Sequence, residues 1–521
     1  VYIRVEHVLT YGDNMAKQAH ELLADALEAA SKVAVNHIVN GAQLAKQHKT
    51  RLNKAGFLKP IIRGWYLLDA DLSVEDTGES VLWQECYWAF VGQYLEHHLG
   101  EDYVVSAEQS LDILTGNNQL PKQLLIGNTA KQNRIVKLPR SLDLSLFSAL
   151  TLPATVAHHE GVRLYTLEDA LIRVGPAYFR RQPQEVALGL KAANPTTLLA
   201  GLLATGNQEA AGRLAGACRA FNQPAQADEL LAGMGAAGYT VRETNPFDQP
   251  VPDISVMRPG SPYAARLELL WGTLRAQLVP LVKSLESPPT NIDAALRALE
   301  ERYVHDAYHS LSIEGYRVTP ELIERVRLGD WNPEDNEADK QQRDAMAARG
   351  YWNAHNLVKD SIVRLNREGV DAAALRADLS AWYRALFGPM VQVGMLSPVD
   401  LAGYRNRPVF IRGSRHTPLP PESLLDAMET LFALIAAEPD AMVAAILGHF
   451  FIGYIHPFPD GNGRCARFLM NALLVAAGYP WVIVRLETRP QYMAALEDLS
   501  IHQNAEPFGR LILEAMNYHW E

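Results

Sequence analysis

His456-Pro457-Phe458-Pro459-Asp460-Gly461-Asn462-Gly463-Arg464-Cys465-Ala466-Arg467 sets an imidazole, a carboxylate, a Gly-Asn-Gly turn and two arginines within twelve residues. Glycines at 461 and 463 free the backbone to turn several N–H groups toward one anion, forming a nest. The apolar run Phe468 to Ala477 reads as a helix, and its N-terminus would add partial positive charge toward the same anion. Arg464 and Arg467, three apart at its start, can turn both guanidinium forks to one side. Asp460 is a hard-oxygen ligand suited to Mg2+, and His456 is placed to act as a general base. Such a set can hold a triphosphate, position magnesium and take a proton from a hydroxyl. A lone His-Pro or Gly-x-Gly is usually only a turn, but so many residue types at fixed spacing do not arise by chance.

Working outward, Ala444 to Ile455 (AAILGHFFIGYI) reads as the apolar helix that delivers this stretch. The stretch resembles the signature of the Fic family, HxFx(D/E)GNGRxxR, with every position present. Gly403-Tyr404-Arg405 followed by Val409 to Pro420 is similar to the family's flap hairpin. Arg489-x-x-Tyr492 and Glu506-Pro507-Phe508 are similar to its C-terminal helices. The resemblance covers residues 263–521 and implies an all-helical Fic fold with a small β-hairpin flap. It implies transfer of AMP from ATP to a Ser, Thr or Tyr hydroxyl of a target protein. Carried over residue by residue, it makes His456 the base and Asp460 the Mg2+ ligand. Gly461, Asn462 and Gly463 become the anion hole, Arg464 and Arg467 hold the β- and γ-phosphates, and Phe458 anchors the loop. Transfer of UMP, phosphocholine or phosphate stays open within the fold, although Gly461-Asn462-Gly463-Arg464 matches the AMP-transferring pattern.

A second motif lies upstream. Ser310-Leu311-Ser312-Ile313-Glu314-Gly315 matches (S/T)xxxE(G/N), which resembles the inhibitory helix motif of one Fic subclass. Ser310 and Glu314 are then the inhibitory residues. A carboxylate from Glu314 can occupy the Arg467 fork and bend the phosphates of ATP away from in-line attack. The plainer reading is a helix C-terminus with Gly315 just past its end, and both can hold together. Whether Glu314 also supports AMP removal is open.

The 521 residues are 48% hydrophobic with net charge −11, an ordinary globular balance that argues against wholesale nucleic-acid or membrane binding. Cys86, Cys218 and Cys465 lie far apart and fit no disulfide or zinc spacing, so a reducing cytoplasm is the expected compartment. No apolar run reaches bilayer length. Val1 opens no signal-peptide pattern, and no membrane contact is expected.

The fold class expected is multidomain and mainly α, with the Fic fold preceded by an α+β region. Four segments are read: a winged-helix-like module at 1–75, an α+β regulatory region at 76–244, a proline-rich linker at 245–262 and the Fic domain at 263–521. Helices are read at 16–39 and 42–54, followed by the apolar hairpin Ile61 to Leu68. A small-residue-rich helical run spans 196–231. LNKAGFLKPIIRGWYLL also resembles the winged-helix segment of abortive-infection antitoxin regulators. From Ala29 to Leu68 there are seven Lys and Arg and no Asp or Glu, and Lys122 to Arg140 is a second acid-free stretch. Lys46, Lys49 and Lys54 fall on or beside the candidate recognition helix, with Arg63 at the wing, which points to DNA. The rival classes are a solvated basic face, or a DNA-binding regulator whose Fic half senses nucleotide. A homodimer is compatible with the sequence.

Overall fold

The computed structural model describes residues 14–69, 81–149, 151–248, 251, 261–283, 291–329, 343–401, 403–411 and 413–518. Most of the proline-rich linker (249–250 and 252–260), the acidic stretch 332–339 and residues 1–13 and 70–80 lie outside the described residues. Contacts divide the chain into two units, residues 1–111 with 120–170, and residues 112–119 with 171–521.

In the first unit α1 (Asn14–Val33) ends earlier than its alanine-rich sequence suggests. Asn36 and His37 take positive φ (49° and 65°), which the helix cannot continue through. The chain turns into β1 (Ile38–Asn40), then α2 (Lys46–Lys54), β2 (Leu58–Ile62) and β3 (Trp65–Leu68). The three strands form an antiparallel sheet of order β1-β3-β2, with Ile38 opposite Leu67 and Leu58 opposite Leu68. Ala26, Ala30, Leu52, Leu58 and Leu68 make the core under it. This is the helix–helix–hairpin outline read from the sequence, with one more strand ahead of α2. Next come α3 (Val81–Leu99), β4 (Tyr103–Val105) and α4 (Ala107–Leu114). They are followed by β5 (Gln123–Asn128), β6 (Arg134–Val136), β7 (Asp143–Ser148) and the hairpin β8 (Val156–His159) and β9 (Val162–Tyr165). The larger sheet has order β4-β5-β7-β6, with β5 and β7 parallel.

The second unit is helical. After α5 (Leu167–Arg173), α6 (Pro176–Arg181) and α7 (Pro183–Ala192), the run read as one helical stretch breaks into three: α8 (Pro195–Thr205), α9 (Gln208–Ala220) and α10 (Pro224–Ala236). Gly206 turns left-handed to end α8, and the Asn207 side chain caps α9. Proline opens α8 and α10, where its missing N–H has no helical partner to lose. Then follow α11 (Pro262–Val282), α12 (Ile292–Ile313), α13 (Pro320–Leu328), α14 (Arg343–Glu368) and α15 (Ala372–Gln392). The last five helices are α16 (Leu424–Ala437), α17 (Ala441–Ile455), α18 (Asn462–Ala476), α19 (Arg489–His502) and α20 (Glu506–Met516). α15 runs on through Pro389, because Phe387, Pro389 and Met390 are all buried and packing outweighs the lost hydrogen bond. One continuous apolar core runs through α11 to α20, and α17 and α18 are buried along nearly their whole length.

Residues 403–420, expected as a hairpin flap, form no strand among the described residues. Pro408, Pro418 and Pro420 cannot donate to a ladder. The Arg407 and Leu419 carbonyls instead accept from the Arg405 guanidinium. An isolated bridge pairs His416 with Gln119. Among the described residues no single helix is long and apolar enough to cross a membrane. The α7–α8 pair that passes by composition is bent by 108°, and α7 carries the buried Glu185–Arg266 ion pair.

Candidate active site

The site grows from the join between α17 and α18. Asp440 starts α17 by accepting from the N–H groups of Met442 and Val443 (3.0 and 3.1 Å). The helix stops at His456, which takes the left-handed conformation (φ 54°, ψ 59°), because Pro457 after it disfavours another helical residue. The His456 N–H donates to Ile452 (2.9 Å), and its Nδ1 lies 3.2 Å from the Gly453 carbonyl. A proton on Nδ1 satisfies that carbonyl and leaves the Nε2 lone pair free to accept another. Burial pushes this imidazole down to about 4, with the Arg405 charge adding to the effect, so it is neutral at pH 7.

The loop is braced from within. Phe458 is buried and stacks on Tyr383 (4.1 Å between ring centres, 6° between planes). The Asn462 side chain accepts from the Phe458 N–H (2.9 Å) and donates to the Phe458 carbonyl (2.8 Å). Its amide thus closes the loop as a strand partner would, leaving contact with an anion to backbone N–H groups. α18 begins at Asn462, six residues before the apolar run read from the sequence, so both arginines lie inside its first turns. Gly461 precedes it at φ 77°, and a Cβ there would sit 2.6 Å from the Phe387 ring. A Cβ on Gly463 would sit 2.4 Å from the Glu314 Oε1. Neither position has room for a side chain.

Asp460 is half exposed, and its Oδ1 accepts from the Gly461 N–H (2.5 Å). Arg464 is fully buried, and none of its three guanidinium nitrogens has a hydrogen-bond partner. Its nearest carboxylate oxygen is Asp460 Oδ1 at 3.5 Å, and it lies over the rings of Phe387 (4.8 Å) and Tyr316 (5.1 Å). A buried cation without hydrogen bonds costs several kcal/mol, which aromatic faces offset only in part. An anion at this position would supply the missing partners.

Arg467 is buried too, but it is engaged. Its Nε donates to Ser310 Oγ (3.0 Å), and its Nη2 donates to the Ser310 carbonyl (3.1 Å) and to Glu314 Oε1 (2.8 Å). Burial pushes the Glu314 carboxyl up, yet the charges of Arg467 and Arg464 outweigh it and hold the group below its ordinary range. Glu314 sits at the end of α12, where Gly315 at φ 88° and the Tyr316 N–H to Leu311 carbonyl bond (3.1 Å) close the helix. The helix end and the ion pair are therefore one structure. Behind them Asp306 accepts from the Tyr351 hydroxyl (2.7 Å) and the Trp481 Nε1 (3.0 Å), and burial pushes it up to about 6. The Tyr492 hydroxyl lies 2.8 Å from His449 Nε2, also buried. The Cys465 thiol is pushed up to about 12 by burial, which removes it as a nucleophile.

His456, Asp460, Gly461, Asn462, Gly463, Arg464, Arg467, Ser310 and Glu314 are thus brought together from three helix ends, the end of α17, the start of α18 and the end of α12. Sequence reasoning missed Arg405, Asp306, Tyr351 and Trp481, whose partners lie 45 to 175 residues away in the chain. Only the run Gly403-Tyr404-Arg405 drew attention to one of them.

Residues 375–474 match the Fic/DOC family. The chain is 30% identical over 223 residues to a protein adenylyltransferase Fic of Nematostella vectensis, covering 42% of this chain and 47% of the relative. It is 31% identical over 232 residues to the protein of the same name in Culex quinquefasciatus, covering 43% of this chain and 42% of the relative. The chain therefore spans under half the length of these relatives. Among solved structures, Fic-1 (aa134–508) from C. elegans aligns with a TM-score of 0.36 at 19% identity, over 64% of this chain and 89% of that one. With the signature at 456–467 inside the matched segment, the chain carries a Fic domain of the Fic/DOC family.

Proposed function

We propose that this protein is an autoinhibited adenylyltransferase that moves AMP from ATP to a Ser, Thr or Tyr hydroxyl of a protein target. In the step, the hydroxyl oxygen attacks the α-phosphorus, the bond from α-phosphorus to the bridging oxygen breaks, and pyrophosphate leaves. His456 Nε2 takes the hydroxyl proton. The backbone turn at Gly461 to Gly463 and the buried Arg464 hold the phosphates, and Arg467 orients the γ-phosphate once it is released. The observation that carries this reading is the contrast between two neighbours: Arg464 has no hydrogen-bond partner, while Arg467 is held by Glu314. The test is incubation of the full chain with α-labelled ATP and Mg2+. The Glu314→Gly protein is expected to label itself or an added target, and the Glu314→Gly, His456→Ala protein is not. No label from either would overturn the assignment.

Magnesium fits as a nucleotide-borne ion rather than a resident one. Among the described residues no group of three or more His, Cys, Asp or Glu side chains converges on one point. Asp460 offers a single half-exposed carboxylate beside the phosphate turn, the donor set that Mg2+ shares with phosphate oxygens and waters. Bound there, it would neutralise phosphate charge.

A second role is proposed for the first unit, contact with duplex DNA through α2 and the β2–β3 turn. Lys46, Lys54 and Arg63 are exposed. By contrast Lys49 donates to the Gly41 carbonyl (2.6 Å), Arg51 to the Leu22 carbonyl (3.3 Å), and Lys59 pairs with Asp69 (2.9 Å). In the second basic stretch Lys137 pairs with Asp143. Changing Lys46, Lys54 and Arg63 together to Glu should abolish binding and its salt dependence, since each released phosphate contact flattens the slope. A wild-type chain that ignores duplex DNA at low salt would overturn this.

A further inference from the structure

The reaction assigned above needs His456 held still, and the side-chain bonds that brace the loop from within run between Phe458 and Asn462, beyond it. Its left-handed backbone is unfavourable for a residue with a side chain, by about 1–2 kcal/mol. Something outside the loop must hold it there.

Arg405 meets that need. Its guanidinium is buried and reaches carbonyl oxygens from two separate parts of the chain. Nε donates to the His456 carbonyl (2.7 Å), and Nη2 reaches the carbonyls of Leu419 and, at 3.5 Å, Ile455. Nη1 donates to the Arg407 carbonyl (2.9 Å). The Arg405 N–H donates to the Pro457 carbonyl (2.9 Å). Three successive carbonyls, at 455, 456 and 457, thus end on one residue. The first two belong to the last residue and the cap of α17, whose carbonyls lack helical partners and where a cation is favoured, and the third lies just beyond the cap. The same fork ties that end to the 403–420 segment, which a second contact, His416 Nε2 to the Tyr454 carbonyl (2.8 Å), reinforces.

We propose that Arg405 is a positioning residue for the transfer reaction: it caps α17, fixes the His456 backbone and so aims the imidazole at the acceptor hydroxyl. The inference rests on His456 being the base. Arg405 touches no phosphate-binding residue from Gly461 to Arg467 through any of these bonds, so its loss should spare nucleotide binding. Lysine keeps the charge but has no planar fork, and cannot reach the His456 and Leu419 carbonyls together.

The experiment uses the full chain carrying Glu314→Gly, with Arg405→Ala or Arg405→Lys added. For Arg405→Ala, kcat should fall on the order of 10²-fold, the scale of a misplaced catalytic group. The ATP dissociation constant by calorimetry should stay within about threefold, since the phosphate contacts are untouched. Arg405→Lys should recover only part of the loss. Amide hydrogen exchange provides a readout independent of activity: exchange should quicken across 455–460 and 416–420 while the middle of α18 stays protected. Unchanged kcat with unchanged exchange in these segments would overturn the inference. So would a parallel loss of kcat, ATP affinity and protection throughout, which marks a residue needed only for folding. If the Glu314→Gly parent transfers nothing, the base assignment fails, and the exchange pattern alone decides whether Arg405 pins the loop.

Discussion

Replacing Glu314 by Gly tests the ion pair at the centre of the site, and its size can be worked from the contacts. The carboxylate makes one charged hydrogen bond to Arg467 at 2.8 Å and keeps about a quarter of its side-chain surface exposed (26%). A charged hydrogen bond contributes about 1.5–3 kcal/mol, and that exposure places this one in the lower half, about 1.5–2 kcal/mol. A γ-phosphate that must displace the carboxylate is therefore penalised about 10–30-fold in its productive pose, at 1.4 kcal/mol per tenfold. Glu314→Gly should raise the transfer rate by at least that factor while ATP affinity changes little, because Ser310 still holds Arg467 through two bonds. The assay is initial-rate labelling at saturating ATP, with calorimetry for affinity, on wild type, Glu314→Gly, Arg467→Ala and the double variant. Arg467→Ala should cancel the gain, making the pair strongly non-additive. Equal rates for wild type and Glu314→Gly across ATP concentrations would refute the reasoning. A gain that survives in the Arg467→Ala background would do the same.

His456→Ala in the Glu314→Gly chain should cut transfer by about 10²–10⁴-fold and leave calorimetric ATP binding nearly intact. ADP should not replace ATP as AMP donor in the same chain; equal use of both would show that Arg467 does not read the γ-phosphate. The pair's pH dependence follows from the sign of the Glu314 shift. Its folded carboxyl is held below the ordinary value of 4.5, so its stabilisation is fully present above that value and is lost as pH falls through the lower folded value. The melting difference between wild type and Glu314→Gln should therefore stay constant from pH 7 to 5 and shrink only below the ordinary carboxylate range. A difference that fades between pH 7 and 5 would mean that the carboxylate is not paired.

What the sequence disclosed follows the range of the interactions involved. The loop from His456 to Arg467 was legible because its chemistry is local: the turn, the helix start and the charged side chains lie within one short stretch. A capped helix start is local in the same way: the Thr319 side chain accepts from the Leu322 N–H and Pro320 opens α13. The strands β4, β7, β8 and β9 were not; they run only three to six residues, and β4 and β7 each stand on β5, well away in the chain. The flap was expected from the resemblance alone, and its prolines and the Arg405 fork remove the donors and acceptors a ladder needs. Arg405 was read as part of a resemblance, and its bonds to residues 50 and 51 positions away could not be seen in the sequence.

The two halves of the site share one geometric constraint, and it lies at Gly463. The close approach that lets Glu314 reach Arg467 also puts the Glu314 Oε1 2.4 Å from where a Cβ on Gly463 would be. The same bare backbone is what a phosphate needs in order to meet the N–H groups at the start of α18. A side chain at 463 would therefore obstruct carboxylate and phosphate alike, so both compete for one small space bounded by Arg464 and Arg467. On the proposed reading, the carboxylate would act by occupancy rather than by reshaping the fold. A brake of that kind yields to whatever draws the end of α12 away, without any change in α17, α18 or the loop between them.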